Sequence, residues 1–358
     1  MTTYDERPWL ALYDNGVPAD PVLPVEHGLA MFDAALRGRP TAALIHYFDS
    51  TLTVAEVDRL SASLARGLAD DYEVARNDRV MIQVQNIPAF VLATIATWRL
   101  GAILVPLNPM FRPAELDKLM ADAQPRVMIL QAGLIAELGP VADQHSVPVI
   151  SASELDFVKQ WPADLFPGAE RVERSGIRDV MDLVGAHEGE RPAPIELTGD
   201  DIAFLVYTSG TTGPPKGAMN THRGVVFNSE NYRTWCGLTT DDVCLAIAPL
   251  FHVTGLIAHI GVALLLPMPL VLGYRFNPVG MAQLIERYRA TWVMGSITAY
   301  IAMLNEPRVA GYDLSSLTKL WSGGQAVSPS TVERLEQTFG AYVHNLYGLT
   351  EVTSESHA

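Results

Sequence analysis

The sequence predicts an α/β fold of two parallel-sheet-containing lobes with helices on both faces. Three observations carry that expectation. Short apolar runs of strand length alternate with longer stretches whose apolar residues recur at helical spacing, the pattern of a parallel sheet covered by helices. The chain has 358 residues, 49% of them hydrophobic, enough for two cores rather than one. The alternation lapses over residues 151–200, where Glu, Asp, Pro and Gly accumulate, and resumes at Asp201. Residues 1–200 are therefore read as an N-terminal lobe with an irregular arm and a linker, and 201–358 as a second lobe.

The elements follow in order. Residues 1–30 are Pro-rich and irregular, an arm over the lobes. Thr53 and Glu56 have the spacing of a capping box, and Val54, Val57, Leu60, Leu64 and Leu68 continue it at helical period. Residues 78–84 read as a strand. Pro88 opens a helix to about Leu100, with Gly101 suited to the C′ position. Residues 103–105 form the next strand, Pro113 starts another helix, and 126–130 return as a strand. In the second half, strands are expected at 201–207, to about Pro249, and at 269–272, 291–294, 317–321 and 341–346. Helices are expected at about 254–265, up to Arg289, and at 298–304 and 328–339.

A net charge of -15 argues against nucleic acid and anionic membrane as partners, so an anionic ligand must be attracted locally. Two cysteines, Cys236 and Cys244, are too few for a disulfide framework and lack metal-site spacing. With a polar N-terminus that has no signal-peptide core, they suggest a reducing cytoplasm. From Leu245 to Tyr274 there is no Asp, Glu, Lys or Arg, a run long enough to span a bilayer. His252, His259, Pro267 and Pro269 interrupt it, so it reads as buried core rather than a transmembrane span.

The most informative stretch is Tyr207-Thr208-Ser209-Gly210-Thr211-Thr212-Gly213-Pro214-Pro215-Lys216-Gly217. A buried strand opens into glycines, hydroxyls and one cation. Glycines let backbone N–H groups turn inward around phosphate oxygens, hydroxyls add donors, and lysine adds a mobile charge. The order is not that of a Walker A loop, because Lys216 lies between Pro215 and Gly217 with no hydroxyl after it.

Residues 208–217 match at every fixed position the phosphate loop [ST]-S-G-[ST]-T-G-x-P-K-G, and at this loop the chain resembles the adenylate-forming (AMP-binding) superfamily: acyl-CoA synthetases, peptide-synthetase adenylation domains and beetle luciferases. Pro249-Leu250-Phe251-His252-Val253-Thr254-Gly255, Ser322-Gly323-Gly324-Gln325-Ala326 and Leu346-Tyr347-Gly348-Leu349-Thr350-Glu351 agree in order and approximate spacing. Residues 53–57 and 101–108 also look like this family's N-terminal lobe.

The resemblance implies ATP, Mg2+ and coenzyme A as ligands and a carboxylic acid as substrate, joined to the α-phosphate with loss of pyrophosphate. Two anions must meet, so positioning and charge neutralisation carry the chemistry. By resemblance, Thr208, Ser209, Gly210, Thr211, Thr212 and Lys216 wrap the β- and γ-phosphates. Gly323, Gly324 and Gln325 line one side of the adenine, although the family more often has Ala or Glu where Gln325 stands. Tyr347, followed by Gly348, offers a face for the adenine. Thr350 donates to the α-phosphate and Glu351 supplies a hard oxygen for magnesium. His252 corresponds to the family's gate near the carboxylate and α-phosphate. His252, Thr350, Glu351 and Lys216 thus form the catalytic set, and His252, Val253, Gly255, Gly295, Ser296 and Gly323 line the acyl pocket. His222 and His259 read as structural.

Peptide-synthetase domains carry an Asp in this fourth motif to hold an amino group, and Phe251-His252-Val253-Thr254 has no carboxylate. The apolar surroundings of Val253–Ile260 and Gly295–Leu304 favour an acid with an apolar tail, fatty or aryl. The resemblance further implies a C-terminal lid with a catalytic lysine beyond Glu351. Without it, the expectation is a fragment that binds ATP weakly, turns over slowly and exposes apolar surface that invites a homodimer. A non-catalytic nucleotide- or acyl-binding module and a luciferase-like oxygenase stand as the alternatives.

Overall fold

The computed structural model describes residues 4–171, 176–208 and 215–357. Among the described residues fourteen strands build two sheets. They are β1 (Ala43–Tyr47), β2 (Ser50–Thr53), β3 (Arg79–Gln83), β4 (Ile103–Pro106), β5 (Val127–Gln131), β6 (Val149–Ala152), β7 (Ile202–Thr208), β8 (Lys216–Thr221), β9 (Cys244–Leu245), β10 (Leu270–Leu272), β11 (Trp292–Gly295), β12 (Lys319–Gly323), β13 (Val343–Leu349) and β14 (Ser354–His357). The six-stranded sheet runs β6-β5-β3-β4-β7-β8, and the eight-stranded sheet runs β14-β13-β12-β11-β9-β10-β1-β2. All pairings are parallel except β1–β2, β7–β8 and β13–β14.

The sheets do not divide the chain at residue 200. β7 and β8 complete the sheet begun by β3–β6, and β1 and β2 sit in the sheet built from β9–β14. The reason is register: β1 pairs in parallel with β10, Ile45 beside Leu270, so the early hairpin closes a sheet whose other members come from the far half. Sequence alternation reports a strand's neighbours along the chain, not its partners across space.

Local chemistry explains most elements. The helix Val54–Tyr72 starts at the Thr53/Glu56 capping box, with Glu56 Oε2 accepting from Thr53 N at 2.7 Å. The helix Pro88–Arg99 is apolar all round and buried; Gly101 follows at φ +62°. Its Trp98 indole donates to Ala203 O of β7 at 3.2 Å, tying helix to sheet. Buried Asp58 accepts from both Arg99 and Arg191, which pins the 151–200 excursion to the helix layer. That excursion is less irregular than its composition predicts, since it contains a helix, Val180–Ala186, capped by Asp179.

The uncharged run also differs in detail. The strand expected up to Pro249 is only Cys244–Leu245, and the helix begins as a π-helix over Gly255–Gly261 before continuing as α-helix over Val262–Leu265. Every residue of the π segment is buried. Among the described residues no helix is long and apolar enough to cross a membrane.

Candidate functional site

Parallel strands expose their carboxyl ends along one edge, and a ligand binds where the loops that leave them gather. In the eight-stranded sheet β9, β11, β12 and β13 are parallel. Gly295 lies opposite Ser322, and Gly323 opposite Leu346. The register therefore collects Gly295 and Ser296 at the end of β11, Gly323, Gly324 and Gln325 at the end of β12, and Tyr347 and Gly348 near the end of β13 on one edge. His252 and Val253 follow β9 by a short loop onto the same edge.

Each piece has a local cause. Gly324 sits at φ +86°, left-handed backbone that a side chain resists, and this turns the chain out of β12. Gln325 donates to Thr298 Oγ1 at 3.3 Å, bridging the ends of β12 and β11. Tyr347 is 57% exposed, so its ring lies open for stacking. Gly348 sits opposite Glu355 of β14, where a Cβ would meet Ser354 O at 1.8 Å.

After β13 the chain makes a short 3-10 turn, Thr350–Val352, and reverses into β14. Two asparagines hold this turn. Asn220 of β8 donates to Thr350 O at 2.7 Å and to Thr353 Oγ1 at 3.1 Å, and Asn228 donates to Val352 O at 2.9 Å. The six-stranded sheet thereby fixes the backbone under Glu351. Among the described residues the exposed Glu351 carboxylate makes no hydrogen bond or ion pair.

The phosphate-loop candidates divide. Thr208 ends β7 and lies opposite Lys216, which starts β8; Thr208 Oγ1 donates to Lys216 O at 3.4 Å. Ser209, Gly210, Thr211 and Thr212 lie outside the described residues. Lys216 is exposed and makes no ion pair among the described residues. It stands four positions before Asn220 along β8, or roughly 13 Å at the usual rise per residue. The hairpin thus bases the loop on the strand that also holds the Thr350 turn.

His252 presents an exposed ring whose Nδ1 accepts from Thr254 N at 3.3 Å. Partial desolvation holds its pKa below the ordinary histidine value, so the ring is neutral at pH 7, with Nε2 carrying the proton as a donor. Val253 behind it is buried, and Gly255 packs so closely that a Cβ would meet Pro249 O at 2.1 Å. Beside this loop lies a cleft of about 270 Å³, lined by Gln85, Ile247, Pro249, Phe276, Ser296 and Ala299 among others. It is mostly apolar, with Arg275 at its rim.

Other polar groups serve the scaffold. His222 is buried, its pKa pushed down to about 3 by desolvation, and its Nδ1 accepts from Gly28 N at 3.2 Å. Burial likewise pushes His259 down to about 3. Cys236 and Cys244 are free and buried, with thiol pKa values raised by desolvation. Asn86, Asn220 and Asn228 carry no motif that marks them in the sequence; for Asn86 the one signal is a polar residue between a buried strand and a Pro-initiated helix.

A model of the family described as AMP-binding enzyme matches residues 32–357. The long-chain-fatty-acid–CoA ligase of Bacillus subtilis is 27% identical over 99% of this chain and 65% of its own length. The feruloyl-CoA synthase of an Amycolatopsis species is 33% identical over 88% of this chain and 57% of its own. In three dimensions a long-chain-fatty-acid-CoA ligase from Archaeoglobus fulgidus superposes with a TM-score of 0.81 at 22% identity, covering 96% of this chain and 68% of that one, a likeness of fold. The chain spans less than two thirds of the length of the curated relatives it matches. The motif-bearing edge and the match over residues 32–357 together place this chain in the AMP-binding enzyme family, among relatives that are acid–CoA ligases.

Proposed function

We propose that the chain binds ATP and a carboxylic acid on the carboxyl edge of the eight-stranded sheet and joins them as an acyl-adenylate, the first half of an AMP-forming acid–CoA ligase reaction. The observation that carries this reading is the gathering of His252, Ser296, Gly324, Gln325, Tyr347 and the Thr350–Glu351 turn on one edge, with each placed by parallel register or by a backbone clamp.

The roles follow from the chemistry of each group. Tyr347 and Gly323–Gly324 offer an aromatic face and bare backbone to a flat base. Thr350, on a turn held by Asn220, carries a hydroxyl that can donate to the α-phosphate. Lys216 supplies an uncommitted cation at the foot of the phosphate loop, where the developing charge on pyrophosphate needs one. His252, neutral with a donor at Nε2, can orient a carboxylate beside the α-phosphate.

Magnesium fits the residues present: Glu351 is an exposed carboxylate with no partner among the described residues, the single hard oxygen ligand a phosphate-bound ion requires. When bound, the ion would neutralise phosphate charge. The acid is proposed to have an apolar tail, because the cleft beside His252 is largely apolar and no carboxylate stands at Phe251–Thr254 to pair with an ammonium. Coenzyme A is proposed as the acceptor, because the relatives the chain matches are CoA ligases.

ATP–pyrophosphate exchange over a panel of fatty, hydroxycinnamic and dicarboxylic acids tests the reading. Exchange that depends on one apolar class supports it. Saturable nucleotide binding without exchange for any acid would reduce the chain to a binding module, and no nucleotide binding at all would remove the assignment.

A further inference from the structure

The loop that carries His252 is held from both sides by buried side chains outside the motifs. Asn86 follows β3 of the six-stranded sheet and is 6% exposed. Its Nδ2 donates to Ala246 O at 3.2 Å and Ala248 O at 3.0 Å, and its Oδ1 accepts from Leu250 N at 2.8 Å. Its own backbone N–H donates to Tyr274 O, just after β10, at 2.7 Å. One amide thus meets three backbone groups of the 246–250 loop, using both N–H donors and the carbonyl.

From the opposite side, His259 of the π-helix accepts from Ala248 N at Nε2, 3.2 Å away. Its proton therefore sits on Nδ1, which donates to Cys244 Sγ at 3.4 Å. Gly255 closes the sandwich by packing bare backbone against Pro249. Two residues beyond Leu250 the chain reaches His252, whose N–H donates to Pro249 O at 3.1 Å.

We propose that Asn86 is a positioning residue for acid activation: it clamps the backbone of residues 246–250 so that His252 is held at the acid-binding edge, and it joins the carboxyl edges of the two sheets there. The chemistry demands asparagine. Aspartate keeps the acceptor for Leu250 but turns a carboxylate toward two carbonyls, serine supplies too few donors, and glutamine is longer by a methylene. The inference rests on the proposed role of His252 in orienting the acid.

The test measures binding of AMP and of adenosine 5′-sulfamates bearing a hexadecanoyl or feruloyl group, in wild type, Asn86→Ala, Asn86→Asp, His252→Ala and the two double variants. A melting curve of each variant checks the fold. The expected result is a loss of about tenfold or more for the better acyl sulfamate in each Asn86 variant, with AMP affinity changed less than about twofold. His252→Ala is expected to cost far less in the Asn86 backgrounds than alone, because the imidazole is already displaced.

Equal losses for AMP and the acyl sulfamate, or additive losses for Asn86 and His252, would overturn the proposal. So would loss of fold in both Asn86 variants, which would make the residue purely structural. Failure of the wild-type protein to bind either ligand strikes the functional reading itself and takes this inference with it.

Discussion

Glu355 sits on β14 opposite Gly348 with its side chain sealed from water, 5% exposed, and one carboxyl oxygen without a partner among the described residues. Tyr232, whose hydroxyl meets Ser354 Oγ at 2.9 Å, and the Cys236 thiol are its polar surroundings, and among the described residues no cation faces it. Desolvation pushes its pKa up to about 8, against an ordinary glutamate value of about 4.3. The folded protein keeps the proton over a range where the unfolded chain has lost it. Stability from this group is full below about 4.3, falls as pH rises, and is lost once pH passes about 8. At about 1.4 kcal/mol per unit, the window is worth about 3–5 kcal/mol. Glu355→Gln keeps the shape and removes the titration. The variant is expected to melt higher than wild type at pH 8 by roughly 4–7 °C and to match it near pH 4. Paired melting curves at pH 4, 6 and 8 measure the difference, so titrations shared by both proteins cancel. A difference that stays constant across the three values would show that Glu355 is charged and solvated in the folded state, and its burial beside Tyr232 would be refuted.

Other outcomes follow from groups already described. Gly255→Ala drives a methyl into Pro249 O and the Leu250 backbone and is expected to cost more than about 3 kcal/mol of stability, measured by denaturant unfolding. Lys216→Ala removes an exposed cation without a described partner, so stability should hold within about 0.5 kcal/mol while ATP–pyrophosphate exchange falls by about tenfold or more. Asp58→Asn strips the buried carboxylate from Arg99 and Arg191 and should destabilise by about 3–5 kcal/mol. Burial opposes ionisation of Asp58, yet the Arg191 and Arg99 contacts hold its pKa below the usual carboxylate range. The stability it lends is present at neutral pH and disappears as pH falls through that depressed value, so acid titration of wild type and variant should converge.

The sequence made some parts of this molecule legible and concealed others for physical reasons. The capping box at Thr53, the Pro88 start with Gly101 beyond its end, and the strands expected at 291–294 and 317–321 follow from local propensity, and the structure has them, the two strands at Trp292–Gly295 and Lys319–Gly323. The π-helix did not show, because an apolar run such as Gly255–Gly261 has no period that separates π from α when every face is buried. β8 was hidden inside the phosphate motif: Lys216–Thr221 is polar and Gly-containing, and only pairing with β7 makes it a strand. The same holds at the site. Gly324, Tyr347 and Glu351 announce themselves by motif, but Asn86 and Asn220 act through backbone carbonyls far along the chain, and nothing near either residue in sequence signals the distant partner.

The interleaved sheets have a consequence for how the protein is made. Ile45 must wait for Leu270 before the eight-stranded sheet can close around it. On a ribosome, which delivers the chain from its N-terminus, the β1–β2 hairpin emerges early and stays unpaired while the whole six-stranded sheet is synthesised. During that interval its apolar edge is open to chaperones or to aggregation. A circular permutation that starts the chain just before β9 would deliver β10 before the hairpin, so the hairpin would find its partner already made, and should raise the soluble yield.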